Sequence, residues 1–289
     1  NKDSIIQNLN IGWDSEILSY KNKLIDTILT NQSLSLDYSK SKINNSFRFG
    51  GNFYPLGYKK NNYEINFLYE SFILKDKKFK LSGDLSEFRP VFEINNYQSN
   101  HHFWDNKQFN NILFWNASAE ISAGLFSLKS QINQAYRPIY FSEYSEPLQF
   151  DSSLQVIQSS LNYNLIKKKY NLLTEIVYQY QGGAQILQLP DWVGQVKFNY
   201  IFGNEKSNLK LSLGVNAKVF SSYALPRYSS ELNQFTISNE RIQPSYFMID
   251  FLAKTQIKSV TVFLMVTHLN SGLTGFDYFS AFHFPIADR

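Results

Sequence analysis

The chain's four histidines are the side chains whose type points most directly to metal or acid–base chemistry. His101 and His102 stand beside Trp104 and Asp105 in SNHHFWDN (99–106), and His268 and His283 stand in later loop-like stretches at the same expected end of the molecule. Imidazole and carboxylate together suit a zinc-type site. Adjacent residues on an extended strand point to opposite sides, however, so His101 and His102 are a poor chelating pair. A packed surface loop is the plainer reading, and neither a metal nor a cofactor is expected.

Other chemistries fare no better. Zero cysteines excludes disulfides, thiolate metal sites and a cysteine nucleophile. No serine sits in a G-x-S-x-G elbow, and no Walker-type loop is present. Hydrolases on barrel scaffolds exist, but nothing here singles out catalytic residues, so no enzyme is expected. IKKKY (166–170) reads as a strand-joining turn whose cations meet solvent or anionic headgroups. A net charge of +4, spread along the chain, gives no nucleic-acid footprint.

The more informative set is distributed. Glu64, Lys80, Asp84, Glu120, Glu175, Lys197, Lys210, Lys218, Asp250 and Lys254 each fall on the polar phase of a stretch whose other phase is apolar. Charges of both signs on one inward face need water or partners. They are the candidate lining of a polar lumen.

Those residues are set by period-2 segments. In NLKLSLGVNAKVFSSY (208–223), Leu209, Leu211, Leu213, Val215, Ala217 and Val219 alternate with Lys210, Ser212, Gly214, Asn216 and Lys218. Tyr63–Tyr69, Asn111–Ile121, Tyr170–Gln181, Trp192–Phe202 and Phe247–Ala253 alternate similarly, which is the strand signature. Aromatic residues make up 17% of the chain, and this favours strands. The apolar run Ser259–Val266 falls far short of the ~18–20 residues of a spanning helix. EILSYKNKLIDTIL (16–29) is the one helix candidate, with a loop as the alternative.

Connections sort into short turns (near Lys75–Lys78, Ser122–Leu125, Lys167–Lys169, Gly203–Ser207 and Gln256–Lys258) and long ones (near 90–108, 136–151, 182–189, 221–244 and beyond 269). Short and long alternate. Strands of ~10–14 residues with short turns at one end and long loops at the other predict an all-β, up-and-down transmembrane barrel. We expect about thirteen strands in one domain over 1–289, incomplete at one or both ends, and about fourteen or more in the whole barrel, which leaves room for water. Trp13, Phe79, Tyr163, Tyr170, Trp192, Phe202 and Tyr246 lie near expected strand ends. They are candidates for the aromatic girdles at the lipid–water interfaces, with ordinary β-core aromatics as the alternative.

The stretches SNHHFWDNKQF (99–109), YRPIYFSEYSEPLQF (136–150), VYQYQGG with LQLPDWVG (177–194), GVNAKVFSSYALPRYSSELNQF (214–235), IQPSYFMIDFLAKTQIK (242–258) and THLNSGLTGFDYFSAFHFPIADR (267–289) occur in this order. In them the chain resembles the "putative porin" family of Bacteroidetes outer membranes. The resemblance implies integral outer-membrane localisation and pore activity, and it supplies no catalytic residues. The expected function is passive diffusion of small hydrophilic solutes, with lumen size and charge as the selector. The alternative is a non-conducting barrel subunit of a larger secretion or uptake assembly. A soluble glycan-binding sandwich is a distant third. Expected partners are membrane lipid and lipopolysaccharide, the solutes, and other outer-membrane proteins or a second copy of this chain.

The two-faced strands predict that the protein stays in the membrane pellet after alkaline carbonate extraction. Recovery in the soluble fraction would contradict the barrel reading.

Overall fold

The computed structural model describes residues 5–21, 26–74, 76–105, 108–203, 209–257, 259–273 and 278–285. The turn residues Lys75, 204–207 and Lys258 and the final stretch to Arg289 lie outside the described residues.

The period-2 segments become one thirteen-stranded sheet in chain order. Its strands are β1 (Ile6–Lys21), β2 (Asp26–Ser41), β3 (Asn45–Gly57), β4 (Tyr63–Leu74), β5 (Lys77–Phe88), β6 (Ile112–Ala123) and β7 (Phe126–Tyr136). Then follow β8 (Ser153–Ile166), β9 (Tyr170–Gly183), β10 (Trp192–Phe202), β11 (Leu209–Phe220), β12 (Tyr246–Ile257) and β13 (Val260–Val266). Every strand pairs antiparallel with its sequence neighbours, and β1 and β13 form the two edges, unpaired with one another. The expected up-and-down arrangement of about thirteen strands is therefore present.

Pairing partners share a face, so the register carries one face across the whole sheet. Trp13 pairs Leu34, Leu34 pairs Phe53 and Phe53 pairs Tyr63. Further along, Leu161 pairs Ile176, Leu172 pairs Phe198, Phe198 pairs Val215 and Val215 pairs Phe251. This face is apolar from β1 to β13. Where hydroxyls face each other on it they bond, as Ser130 and Ser159 do at 3.0 Å across β7 and β8. Large side chains on it stand open, Ile176 at 52% exposure among them. A one-residue slip would turn every such side chain to the opposite face, so the alternation itself pins the register.

Three details depart from the expectations. In the segment 16–29 the described residues are strand and not helix: those up to Lys21 belong to β1 and those from Asp26 to β2, with Lys21 paired to Asp26. Pairing with a neighbouring strand overrides a local pattern that fits either period. The alternation of short and long connections fails early, since only 58–62 joins β3 to β4. Gly182 and Gly183 fall within the connection expected near 182–189, yet both pair with β8 as the end of β9. Gly183 has φ +76°, and a Cβ there would sit 2.1 Å from the Ser153 carbonyl oxygen, so only glycine closes this strand.

Neighbouring residues of β9 give a direct test of the two faces. Arginine at a lipid-facing midplane position costs about 2–4 kcal/mol. Ile176→Arg should therefore reduce the folded, heat-modifiable fraction in liposomes, whereas Val177→Arg, one residue away on the polar face, should fold close to wild type. Equal behaviour of the two variants would contradict the assignment of faces.

Candidate functional site: the polar face and the loop cluster

The polar face is organised as rows that cross the strands. One row runs Asn10, Asp37, Gly50, Asn66, Asp84, Asn116 and Asn133 through β1–β7. Within it the Asn116 amide donates to Asp84 Oδ2 at 2.8 Å. A second row alternates in sign, with Glu70 paired to Lys80, Lys80 to Glu120 and Glu120 to Lys129. Opposite charges facing across strands attract and help hold the register. Further along, Gln195 donates to Asn216 Oδ1 at 2.8 Å and Asn216 donates to Asp250 Oδ2 at 2.8 Å. Ser82 and Ser118 meet at 2.7 Å, and Gln131 donates to Gln158 at 2.5 Å.

All ten charges singled out in the sequence fall on this face by register. Glu64, Lys80, Asp84 and Glu120 lie on β4–β6; Glu175, Lys197, Lys210 and Lys218 on β9–β11; Asp250 and Lys254 on β12. Glu175 pairs Gln195 and Lys197 pairs Leu173, so Glu175 and Lys197 are diagonal neighbours. Both line a cleft of about 470 Å³ on this face. Glu175 also borders a second cleft of about 320 Å³, together with Glu120 and Lys129. Glu70, Lys129, Arg48 and Asp37 share the face and were not among the ten candidates. Continuing each strand's phase to its ends would have found them.

At one end of the sheet the long connections form a packed cluster. A helical turn, Phe92–Asn95, and short two-stranded ribbons build it. Its segments are tied to each other: His102 Nε2 lies 2.6 Å from Glu231, Ile237 N–H donates to the Phe141 carbonyl at 3.0 Å, and Phe282 N–H donates to the Pro226 carbonyl at 2.9 Å. The Gln188 amide donates to the Ser238 carbonyl, and Phe279 N–H donates to Gln243 Oε1 at 3.1 Å. Trp104 stacks on Tyr97, with centroids 4.6 Å apart, and donates from Nε1 to the Ile94 carbonyl. Leu225 is fully buried. The buried apolar residues, Trp104, Leu154, Ala184, Phe220, Leu225, Tyr246 and Ala281, all lie in the cluster or at the strand ends beneath it. The protein's core is thus in its loops and not in its sheet. Burial, with a hydrogen bond to Tyr278 second, pushes the Tyr223 phenol well above its ordinary pKa.

The cluster leans onto the polar face. Phe220 and Tyr246 pair with each other on that face, and Tyr278 packs on both, with centroids at 5.1 and 5.5 Å. Tyr246 therefore corrects the girdle expectation: it is 4% exposed and its hydroxyl lies 2.5 Å from His268 Nε2. Its parity is opposite to that of Phe247, the true apolar-face residue. Phe79, Tyr163, Tyr170, Trp192 and Phe202 stand on the apolar face within the first or last four residues of their strands. Trp13 shares that face but sits midway along β1, in a row that reaches Tyr63, the first residue of β4. His102 and His268 have different partners, and among the described residues no group of three His, Asp or Glu converges as a metal-binding set. His102 and His268 each tie a loop to another segment.

Comparison with known proteins adds to this geometry. Residues 8–289 match the family described as "Putative porin". A search of curated protein sequences gives no match. Among solved structures, the chain is similar to the ferric enterobactin receptor PfeA in complex with BCV-L6, with TM-score 0.70 and 10% identity over 96% of this chain and 48% of that one. It is also similar to the FrpB iron transporter from Neisseria meningitidis (F3-3 variant), with TM-score 0.59 and 8% identity over 92% of this chain and 49% of that one. The chain thus spans about half the length of these structures. At such identities the likeness is one of fold, that of outer-membrane β-barrels.

The loop ties predict a local effect. His102→Ala removes the contact to Glu231, so limited proteolysis should cut faster within 99–105 and 227–236 while the sheet stays folded by heat-modifiability. Unchanged cleavage would show that His102 does not dock these loops.

Proposed function

The chain belongs to the family described as "Putative porin", and on that premise we propose that it forms the wall of a water-filled pore in the outer membrane, passing small hydrophilic solutes by passive diffusion. The observation that carries this reading is the sheet's division into one continuous apolar face and one face of charged and amide rows. Lipid covers the first face, and the aromatics at its strand ends sit at the two interfaces. Water solvates the second, where Glu175, Lys197 and the other charges set ion and solute preference. The short turns face the periplasm and the loop cluster faces outside, as in barrels of this kind. The chemistry asked of the protein is exclusion and passage, with no catalytic step and no cofactor.

A second reading draws on one specific observation. The loop cluster is well packed and rests on Phe220 and Tyr246 of the polar face. A cluster that seals the lumen would make this a non-conducting barrel within a larger envelope assembly.

Planar-bilayer recording of the full-length protein separates the two. The pore reading predicts stepwise conductance. Glu175→Gln should shift the reversal potential under a salt gradient toward anion preference, because it removes a negative charge from the ion path, and Lys197→Gln should shift it toward cations. Silent bilayers from correctly folded protein, or unchanged selectivity in both variants, would favour the sealed barrel.

A further inference from the structure

The cleft of about 890 Å³ at the rim of β3–β7 has no part in the pore reading. Lys60, Arg89 and Arg137 line it, with Glu87 as the single carboxylate. Among the described residues none of the three cations is ion-paired. Arg89 is held in place by stacking on Tyr58, its guanidinium carbon 4.4 Å from the ring centroid. Arg137 is the first residue of the loop after β7, with φ +57° and its N–H donating to the Ser152 carbonyl. Aromatic packing thus fixes the Arg89 guanidinium, the loop backbone sets where Arg137 starts, and the three cations leave charge to spare.

One residue of the cleft wall carries an unsatisfied acceptor. Asn95 is 7% exposed and lines the cleft. Its amide nitrogen donates to the Tyr58 hydroxyl at 3.1 Å, and that hydroxyl donates to the Pro90 carbonyl at 2.9 Å. These bonds fix the amide's orientation and leave Asn95 Oδ1 buried without a hydrogen-bond partner. A buried orphan acceptor costs about 1–3 kcal/mol unless a donor reaches it. Bare phosphate would meet the cations and offer little to Oδ1. A neutral sugar would meet Oδ1 and leave the cations unused. A ligand bearing both an anionic group and hydroxyls meets both demands, and a volume of about 300–1,000 Å³ is usual for small-molecule sites.

We propose that this rim cleft is a binding site for a phosphorylated sugar. Arg89, Arg137 and Lys60 take the phosphate, with guanidinium suited to two parallel N–H···O bonds. Asn95 Oδ1 accepts from a hydroxyl. Two sources offer this chemistry: the phosphosaccharide headgroup of lipopolysaccharide or a free sugar phosphate. Glu87 pairs Tyr63 and Leu113 on the apolar face, so the cleft reaches the lipid-facing side of the rim. The lipid source rests on the outer-membrane reading above; the site itself is independent of whether the lumen conducts.

The test titrates full-length protein in detergent, by thermophoresis, with rough lipopolysaccharide, its dephosphorylated form, glucose 6-phosphate and glucose. The proposal predicts saturable binding of a phosphorylated probe, at least tenfold weaker for its unphosphorylated counterpart. Lipopolysaccharide binding alone identifies the headgroup; glucose 6-phosphate binding identifies a free ligand. Arg89→Gln with Arg137→Gln should weaken binding at least tenfold, and Asn95→Leu should weaken it in the same direction. Neither probe binding, or phosphorylated and unphosphorylated forms binding equally, would overturn the proposal. That comparison uses the unaltered protein and stands even where a variant misfolds.

Discussion

In a hydrocarbon layer no water is available to bond a backbone N–H or C=O, and each unpaired group costs several kcal/mol. This constraint accounts for most of what is seen here. A strand can meet it only with a partner on each side, so β2–β12 each pair with two neighbours. The side chains must then divide, because successive residues point to opposite faces. One phase becomes the surface offered to lipid, and polar side chains, Glu175 and Lys197 among them, concentrate on the other. Soluble proteins bury their apolar residues in a core. This sheet exposes its apolar residues, and a lipid surround resolves that apparent inversion.

The loops obey the ordinary rule. At the end where the long connections gather, backbone and side chains pack against each other and not against lipid, and burial there is deep around Leu225, Trp104 and Gln243. The polar face becomes apolar where these loops rest on it, at Leu154, Phe220 and Tyr246. One strand can therefore present an apolar face, a polar face and a protein-packed end along its length.

Much of this was legible in the sequence, because a strand's faces are a local property. Alternation alone separates Leu211 from Ser212 and Ile176 from Val177, and parity places all ten charges on one face. Features that depend on register across long loops were not legible. The sequence of charges Glu70, Lys80, Glu120 and Lys129 becomes a row only once the connection between β5 and β6 is folded. The docking of His102 on Glu231 joins residues 129 positions apart, so SNHHFWDN displays its histidines without showing their partner. Tyr246 was misplaced for a different reason: aromatic type suggested an interface, while its parity against Phe247 already placed it on the polar face. Segment 16–29 was ambiguous because its apolar spacing fits either period until a neighbouring strand selects one.

The central claim is that the two phases of each strand meet two different media. The chain has no cysteine, so single spin labels can be placed along β11, from Leu209 to Phe220, in full-length protein with no other cysteine, reconstituted into liposomes. Collision rates with oxygen report lipid, and those with a water-soluble nickel chelate report water. The account predicts a period-2 oscillation, with oxygen accessibility high at Leu211, Leu213, Val215 and Ala217, and nickel accessibility high at Ser212, Asn216 and Lys218. Accessibilities that vary in phase, or that report water on both faces, would contradict it.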